Sequence, residues 1–215
     1  MRSLRQIYDE YKIMSNLRDH QLRVASVAKY ICDRLPISID AKRVVETCLF
    51  HDMGNIIKFD MGYFPEFNKP EGQDYWEGIK REYIKKYGPD AAKANVLIAR
   101  EIGLEPKIIE GIEKIGFSKL LETLSKESME EKICAYSDMR VAPCGVVSID
   151  ERLIDGKKRY RNKKNAFAIP EYDVQVKALK EIEKQISEIA KIKPEDITDK
   201  SVSNYINILK NYQLA

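Results

Sequence analysis

The sequence predicts an all-α fold, and two observations lead to this prediction. Apolar residues recur at steps of three and four over most of the 215 residues, which is the spacing of one helix face. No stretch shows a convincing run of strands, and only a short β-pairing around residues 145–148 is left open. Hydrophobic residues make up 44% of the chain and charged residues 33%, so we expect a helical bundle with an enclosed core.

The first clear helix is predicted over residues 15–35. Within it, Val24 and Ile31 belong to an apolar face at helical spacing. Ser15 or Asn16 can cap its start, and the proline that follows residue 35 ends it.

Six further helices are predicted from the same periodicity. They cover residues 40–51, 89–102, 106–115, 128–138, 173–192 and 201–212. Ser128 and Glu131 have the spacing of a capping box, and Ser201 can cap the last helix.

Two stretches are predicted to be irregular. Residues 60–78 hold two prolines, three glycines and five aromatic residues, which indicates a long loop of the kind that often carries function. Its aromatic side chains can form a lid or a base-stacking wall, or can simply pack the loop on the core. Residues 141–165 are predicted to be irregular and basic.

The length predicts one domain with an appendage rather than two full domains. We expect a core over residues 1–170, which includes an N-terminal helix. A C-terminal helical extension over residues 171–215 is expected to pack on that core. Packing of the extension on a second subunit is the alternative, so monomer and homodimer both stay open.

Charge and cysteine usage exclude several classes of protein. The 37 basic and 34 acidic residues give a net charge of +3, which argues against nucleic acid or an anionic membrane as the main partner. No apolar run is long enough for a transmembrane helix, and the charged N-terminus does not resemble a signal peptide. The four cysteines form no CxxC pair, which favours buried thiols and a cytoplasmic location.

The two histidines of the chain are its candidate metal ligands. His20 lies on the apolar face of the first predicted helix, and His51 ends the second helix and is followed by Asp52. A lone histidine on an apolar face is more often a hydrogen-bonded core residue. The combination with Asp138, at the end of a later helix, changes this balance, because nitrogen and carboxylate ligands that converge suit a divalent transition metal.

Three segments carry a resemblance to a known family. LRDHQLRVA (17–25), CLFHDMG (48–54) and AYSD (135–138) are similar to the metal-binding segments of the HD-domain superfamily of metal-dependent phosphohydrolases, in the family's order of His, His-Asp and Asp. The resemblance spans about residues 14–140. The segments from 136 to 160 look like those of a prokaryotic subgroup of this superfamily, a likeness that implies no substrate.

The resemblance implies an HD-domain helical bundle of about five core helices with a central metal site. It implies that His20, His51, Asp52 and Asp138 hold one divalent ion. Manganese, magnesium, cobalt, nickel, iron and zinc all remain candidates. A divalent ion would lower the pKa of bound water towards about 7 and polarise a phosphoryl oxygen, while Asp52 would orient the water.

Departures from the family pattern narrow the expected chemistry. Binuclear HD enzymes use further histidines before the last Asp, and the chain has none after His51, which favours a mononuclear site. Glu77 or Glu82 could still recruit a second ion. Nucleotidase-like HD proteins carry a Glu where this chain has Asn55, and their downstream acid corresponds to Asp60. We expect Asp60 to donate a proton or orient water; capping of the loop is the equally weighted alternative.

Substrate-binding candidates are the cations near these segments. Arg23 and Arg18 flank His20, Lys58 follows the His-Asp pair, and Arg140 follows Asp138 by two residues. Each such residue is more often a solvated surface charge. The basic tract 157–165 could bind phosphates, with Tyr160 as a stacking face, although a solvated loop is the commoner explanation.

The leading hypothesis is a hydrolase that cleaves a phosphomonoester or a nucleotide phosphate through metal-activated water. Its expected partner is a small phosphorylated substrate, with a nucleotide favoured. The alternative is a nucleotide-binding sensor with little catalytic activity, which Asn55 and the basic tract would fit. A metal-free helical scaffold is the third reading, but it would bury several charges at a high cost.

Overall fold

The computed structural model describes residues 1–160 and 169–214, and this part of the chain is mostly helical. The all-α prediction is confirmed. Eleven α-helices lie in the described residues: α1 (Leu4–Glu10), α2 (Ser15–Cys32), α3 (Ala41–Phe50), α4 (Gln73–Tyr87), α5 (Ala91–Ile102), α6 (Pro106–Lys114), α7 (Leu120–Ser125), α8 (Met129–Met139), α9 (Ile149–Tyr160), α10 (Ile169–Ala190) and α11 (Asp199–Leu209).

Short elements complete the fold. Two antiparallel strand pairs are present: β1 (Arg2–Ser3) pairs with β4 (Gln213–Leu214), and β2 (Val141–Ala142) pairs with β3 (Gly145–Val146). Single 3₁₀ turns cover Asn55–Lys58, Pro65–Asn68, Phe117–Lys119 and Pro194–Asp196.

Helix α2 lies at the centre of the molecule and packs against α3, α8 and α11. Its apolar face is fully enclosed, because Val24, Val27 and Ile31 have no exposed surface. Burial of a side chain of this size contributes about 1.5–3 kcal/mol, so α2 is fixed mainly by tertiary packing. His20 lies one turn before Val24 on this helix, so the packing of α2 places it close to the neighbouring helices.

The turn after α3 is held close to α5. The Gly54 amide donates to Asn95 Oδ1 at 2.6 Å. A Cβ added to Gly54 would stand 2.6 Å from the Ala94 Cβ, so only glycine allows this approach. The contact fixes the backbone that carries His51 and Asp52.

The structure corrects the two irregular stretches. Helix α4 starts inside the predicted 60–78 loop, which shortens the irregular part and places Trp76 in the core. The stretch 141–165 contains a hairpin and helix α9. The β-pairing that was left open around 145–148 exists, displaced to residues 141–146.

Helix caps were predicted with mixed success. Ser128 accepts a hydrogen bond from the Glu131 amide at the start of α8, as expected. The N-cap of α2 is Met14, without a side-chain hydrogen bond, rather than Ser15 or Asn16. Thr198, rather than Ser201, is the N-cap of α11.

The boundary between the predicted core (1–170) and extension (171–215) stays a prediction. Residues 161–168, which precede it, lie outside the described part of the chain. None of the described helices combines the length and the apolar composition needed to cross a membrane.

Candidate metal centre

Three elements bring the predicted metal ligands together. His20 lies in the middle of α2, His51 and Asp52 follow the end of α3, and Asp138 lies in the last turn of α8. Because α2 packs against both α3 and α8, residues separated by up to 118 positions meet at one point.

The ligand atoms are close enough to share one ion. One atom each from His20, His51 and Asp52 lie within 4.8 Å of one another. Asp138 Oδ1 stands 3.2 Å from His20 Nε2 and 3.4 Å from His51 Nε2. Ligand atoms bonded at about 2.0–2.2 Å to one cation lie about 3–4.4 Å apart, so these spacings fit a mononuclear site.

His51 is oriented for a cation by its neighbouring carbonyl. Its Nδ1 lies 2.8 Å from the Cys48 carbonyl oxygen, which can only accept, so Nδ1 carries the proton and donates. Its Nε2 is buried and has no hydrogen-bond partner among the described residues. A buried imidazole nitrogen that faces Asp52 and Asp138 without a hydrogen bond is the feature that a bound cation explains.

The carboxylates make this point favourable for positive charge. Burial alone would lower the pKa of His51, but Asp52 and Asp138 outweigh it and raise this pKa to about 9. Burial works against ionisation of Asp138 as well, yet the adjacent imidazoles of His20 and His51 hold its pKa well below the usual range.

Gln21 is a neighbour of the cluster that the sequence did not single out. It has no exposed surface, and its Oε1 accepts from the Asp52 amide at 3.4 Å. Its Nε2 is also buried without a hydrogen-bond partner among the described residues. A glutamine next to His20 on a buried helix face was the available signal.

The cluster opens into a pocket of about 330 Å³. This volume lies within the range of about 300–1,000 Å³ that is typical of small-molecule sites. The lining residues come from three parts of the chain: Met14, Asn16, Leu17 and His20; Asp52, Asn55, Lys58, Phe59, Asp60, Met61, Tyr63, Phe64, Phe67 and Asn68; and Val141, Pro143, Arg152, Lys158 and Arg159.

Two of the predicted site residues beside the cluster, Lys58 and Asp60, line this pocket, and so does Asn55. Asn55 is 3% exposed, and its backbone N–H donates to the Asp52 carbonyl. Lys58 and Asp60 are more exposed, and Asp60 Oδ1 also accepts from the Gly62 amide, as in the loop-capping alternative.

The three predicted arginines do not line the pocket. Arg18 pairs with Asp9 at 2.5 Å and donates to two backbone carbonyls near the end of α1. Arg23 faces Asp199 at 3.4 Å. Arg140 is 3% exposed and donates to the Tyr136 hydroxyl and to three carbonyls.

The expectation that these arginines bind substrate is therefore corrected. The contacts of Arg18 and Arg140 hold backbone segments in place, and Arg23 joins α2 to α11. Arg18 and Arg140 lie two positions from a ligand, which places them on a different side of the helix. Arg23 lies three positions from His20, but its side chain pairs with Asp199 of α11 instead of lining the pocket.

The aromatic loop meets the pocket in part. Tyr63, Phe64 and Phe67 line it, and neighbouring rings contact one another at centroid distances of 4.7 and 5.0 Å. Tyr75 and Trp76 do not belong to the lining. The three rings offer flat faces to an organic group in the pocket.

The basic tract reaches the same pocket. Lys158 and Arg159 line it. Arg152, which lies earlier on the same helix α9, lines it as well. The Tyr160 side chain and residues 161–165 lie outside the described part of the chain, so the predicted stacking role of Tyr160 stays a prediction. Glu77 and Glu82 do not line the pocket, and Glu82 pairs with Lys12.

The described residues thus form an all-helical protein with a His/Asp cluster, compatible with a metal site, at the floor of a pocket. Residues 2–97, somewhat under half of the chain, match the family model described as HD domain, and this match supports membership of that part in the HD-domain superfamily. The match includes His20, His51 and Asp52, while Asp138 lies beyond it. No curated protein and no solved structure gives a significant match to the chain.

Proposed function

We propose that the chain is a metal-dependent phosphohydrolase that cleaves a phosphomonoester or a nucleotide phosphate at the pocket floor. The observation that carries this proposal is His51 Nε2, which is buried without a hydrogen-bond partner and faces two carboxylates. Two ionised carboxylates buried together, beside an imidazole nitrogen that makes no hydrogen bond, are costly without a cation among them.

His20, His51, Asp52 and Asp138 would hold one divalent cation. When bound, such a cation supplies Lewis-acid chemistry, which lowers the pKa of water towards about 7 and neutralises charge on a phosphoryl group. Its identity among manganese, magnesium, cobalt, nickel, iron and zinc is an outcome of the test below.

The other pocket residues would position the substrate and move a proton. Lys58 is the one predicted substrate-binding cation that lines the pocket in the described residues, and it would hold a phosphate oxygen by a charge-assisted hydrogen bond. Asp60 would orient water or protonate the leaving oxygen. Asn55 can orient a water through its amide, but an amide cannot take up a proton as a carboxylate does.

A nucleotide-binding sensor is the second candidate function, and Asn55 is the observation that favours it. Asn55 is buried beside Asp52, where nucleotidase-like proteins carry a glutamate. Its side-chain amide would still allow a nucleotide to bind, but it could not transfer a proton as the glutamate carboxylate can. The aromatic and basic parts of the lining would serve a sensor equally well.

The test combines metal analysis with a hydrolysis screen. We expect purified protein to contain about one equivalent of divalent metal, and we expect His51→Gln and Asp52→Asn to lose metal and activity while they stay helical by circular dichroism. Asp19→Asn is the matched control, because Asp19 is an exposed neighbour of His20 on the same helix.

The screen offers nucleotides and sugar phosphates with added manganese, cobalt or magnesium. Release of phosphate that stops in Asp52→Asn, but not in Asp19→Asn, supports the hydrolase. Bound metal and bound nucleotide without turnover would favour the sensor. Protein without metal whose variants behave like the unaltered chain would contradict both functions.

A further inference from the structure

Helix α9 contributes two arginines to the pocket, and they share one carboxylate. Arg152 and Arg159 both line the pocket that contains His20 and Asp52. Asp155 Oδ2 lies 3.1 Å from Arg152 Nη1 and 2.8 Å from Arg159 Nε. Positions 152, 155 and 159 are three and four residues apart, so one face of α9 carries all three side chains.

These side chains are largely removed from solvent. The side chains of Arg152 and Arg159 are 16% and 18% exposed, and that of Asp155 is 29% exposed. Arg152 and Arg159 therefore bring two guanidinium groups to the pocket wall, with the Asp155 carboxylate between them. In a partly desolvated wall, guanidinium groups bind an anionic ligand more strongly than they would in water.

Arg152 also has hydrogen-bonding capacity left. Its Nε is buried and has no hydrogen-bond partner among the described residues. Within the same part of the chain, Arg152 pairs with Asp155 and not with Asp52 or Asp138 of the metal cluster. Asp155 therefore holds the guanidinium groups in the pocket lining as a unit separate from the metal ligands.

We propose that this arginine pair binds a second phosphate of the substrate, distinct from the phosphate that is cleaved. The preferred substrate is then a phosphate ester that carries a further phosphate on the same organic scaffold. The inference rests on the proposed function for the reaction at the cluster. Guanidinium groups suit this role, because their planar donors match phosphate oxygens in pairs.

The rest of the lining fits such a molecule. Tyr63, Phe64 and Phe67 provide apolar faces for the scaffold, and exposed Lys158 adds another positive charge from α9. Lys58, which follows the His-Asp turn, remains available for the phosphate at the cluster. A monophosphate bound at the cluster would leave the buried Arg152 Nε without a hydrogen-bond acceptor among the described residues.

Matched pairs of ligands test the proposal by binding and by turnover. The pairs are adenosine 5′-monophosphate with adenosine 3′,5′-bisphosphate, and fructose 6-phosphate with fructose 1,6-bisphosphate. Binding is measured by calorimetry on full-length Asp60→Asn protein, which keeps all four proposed metal ligands, and kcat/KM on the unaltered chain. We expect each bisphosphate of the preferred scaffold to bind about tenfold or more tightly than its monophosphate, since charge-assisted hydrogen bonds contribute about 1.5–3 kcal/mol.

Variants of Arg152 test whether this residue causes the preference for bisphosphates. Arg152→Gln should remove most of the bisphosphate preference and leave monophosphate binding within about twofold, because only the second phosphate uses this residue. Arg152→Lys should retain part of the preference through its charge. Lys157→Gln is the matched control: it removes one positive charge from α9 at an exposed residue outside the pocket lining, where Lys157 Nζ stands over the Tyr172 ring.

The outcomes separate this inference from the proposed function. Hydrolysis of monophosphates without any preference for bisphosphates would overturn the inference and leave the hydrolase intact. Equal loss of both ligands in Arg152→Gln would mean that the arginine contacts the cleaved phosphate, which also overturns it. A third outcome is that the unaltered chain hydrolyses nothing, while binding shows a preference for bisphosphates that Arg152→Gln removes. This outcome would support the second phosphate site and count against the hydrolase.

Discussion

At the scale of single residues, Arg140 shows how a charged side chain can serve the fold. Its guanidinium group joins the Tyr136 hydroxyl to the carbonyls of Val147, Pro194 and Ile197, so it ties α8 to the hairpin and to the segment before α11. All these acceptors lie near or within the interior, and water cannot easily replace the donor.

We predict that Arg140→Met destabilises the protein by about 3 kcal/mol or more, because each buried acceptor that loses its donor costs about 1–3 kcal/mol. Urea unfolding followed by circular dichroism measures this change. Arg23→Met is the control, since Arg23 makes a partly exposed ion pair with Asp199 and its removal should cost less than about 1 kcal/mol. Similar losses in both variants would argue against the structural role of Arg140.

The sequence predicted the residues of the cluster better than the residues around it. His20, His51, Asp52 and Asp138 could be found because their order along the chain is itself a pattern. Arg152 and Gln21 could not be assigned, because their roles depend on which helix face meets the pocket. That information comes from packing, which periodicity in a single sequence leaves open.

At the scale of elements, the turn that carries His51 and Asp52 depends on its fit against α5. The missing side chain of Gly54 allows the approach to Ala94, and Asn95 holds the Gly54 amide. The positions of His51 and Asp52 therefore depend on how α5 packs against this turn.

Gly54→Ala should destabilise the protein by about 1–3 kcal/mol and weaken metal binding, because the new methyl group forces α5 and the turn apart. Gly156→Ala provides the comparison: no heavy atom of the described residues lies within 4 Å of the Cβ that would be added in α9, and alanine favours a helix by up to about 1 kcal/mol. Thermal unfolding and metal titration measure both effects. A neutral Gly54→Ala variant would contradict the tight contact.

Helices α4 and α9 were missed in the sequence for physical reasons. The first turns of α4 follow a glycine and continue the aromatic composition of the loop, so composition concealed the start of the helix. Helix α9 is rich in charged residues and contains Gly156, which lowers its intrinsic helix propensity. Both helices contact neighbouring elements of the fold, and such packing routinely overrides weak local preferences.

At the scale of the whole molecule, the two ends of the described chain are joined to the core. The Tyr212 hydroxyl donates to the Glu46 carboxylate, and the Glu46 side chain is 1% exposed. Burial, together with Glu46, raises the pKa of Tyr212, so the hydroxyl remains a proton donor at ordinary pH. Besides this hydrogen bond, the Glu46 carboxylate makes one ion pair in the described residues, with Lys42 at 3.8 Å.

Tyr212→Phe should lower the free energy of unfolding by about 1–3 kcal/mol, because a buried carboxylate loses its donor. Tyr75→Phe is the matched control, as Tyr75 is an exposed tyrosine on α4. Guanidinium unfolding of the two variants compares them directly. If both variants unfold at the midpoint of the unaltered chain, the Glu46 contact contributes nothing to stability.

The pairing of β1 with β4 has a practical consequence. Arg2 stands opposite Leu214, so the second residue of the chain and the last described residue are separated by the spacing of neighbouring strands, about 5 Å. A peptide linker of a few residues could therefore close the backbone into a ring without distorting the fold. Ring closure would restrict the denatured chain and raise the free energy of unfolding by on the order of 5 kcal/mol.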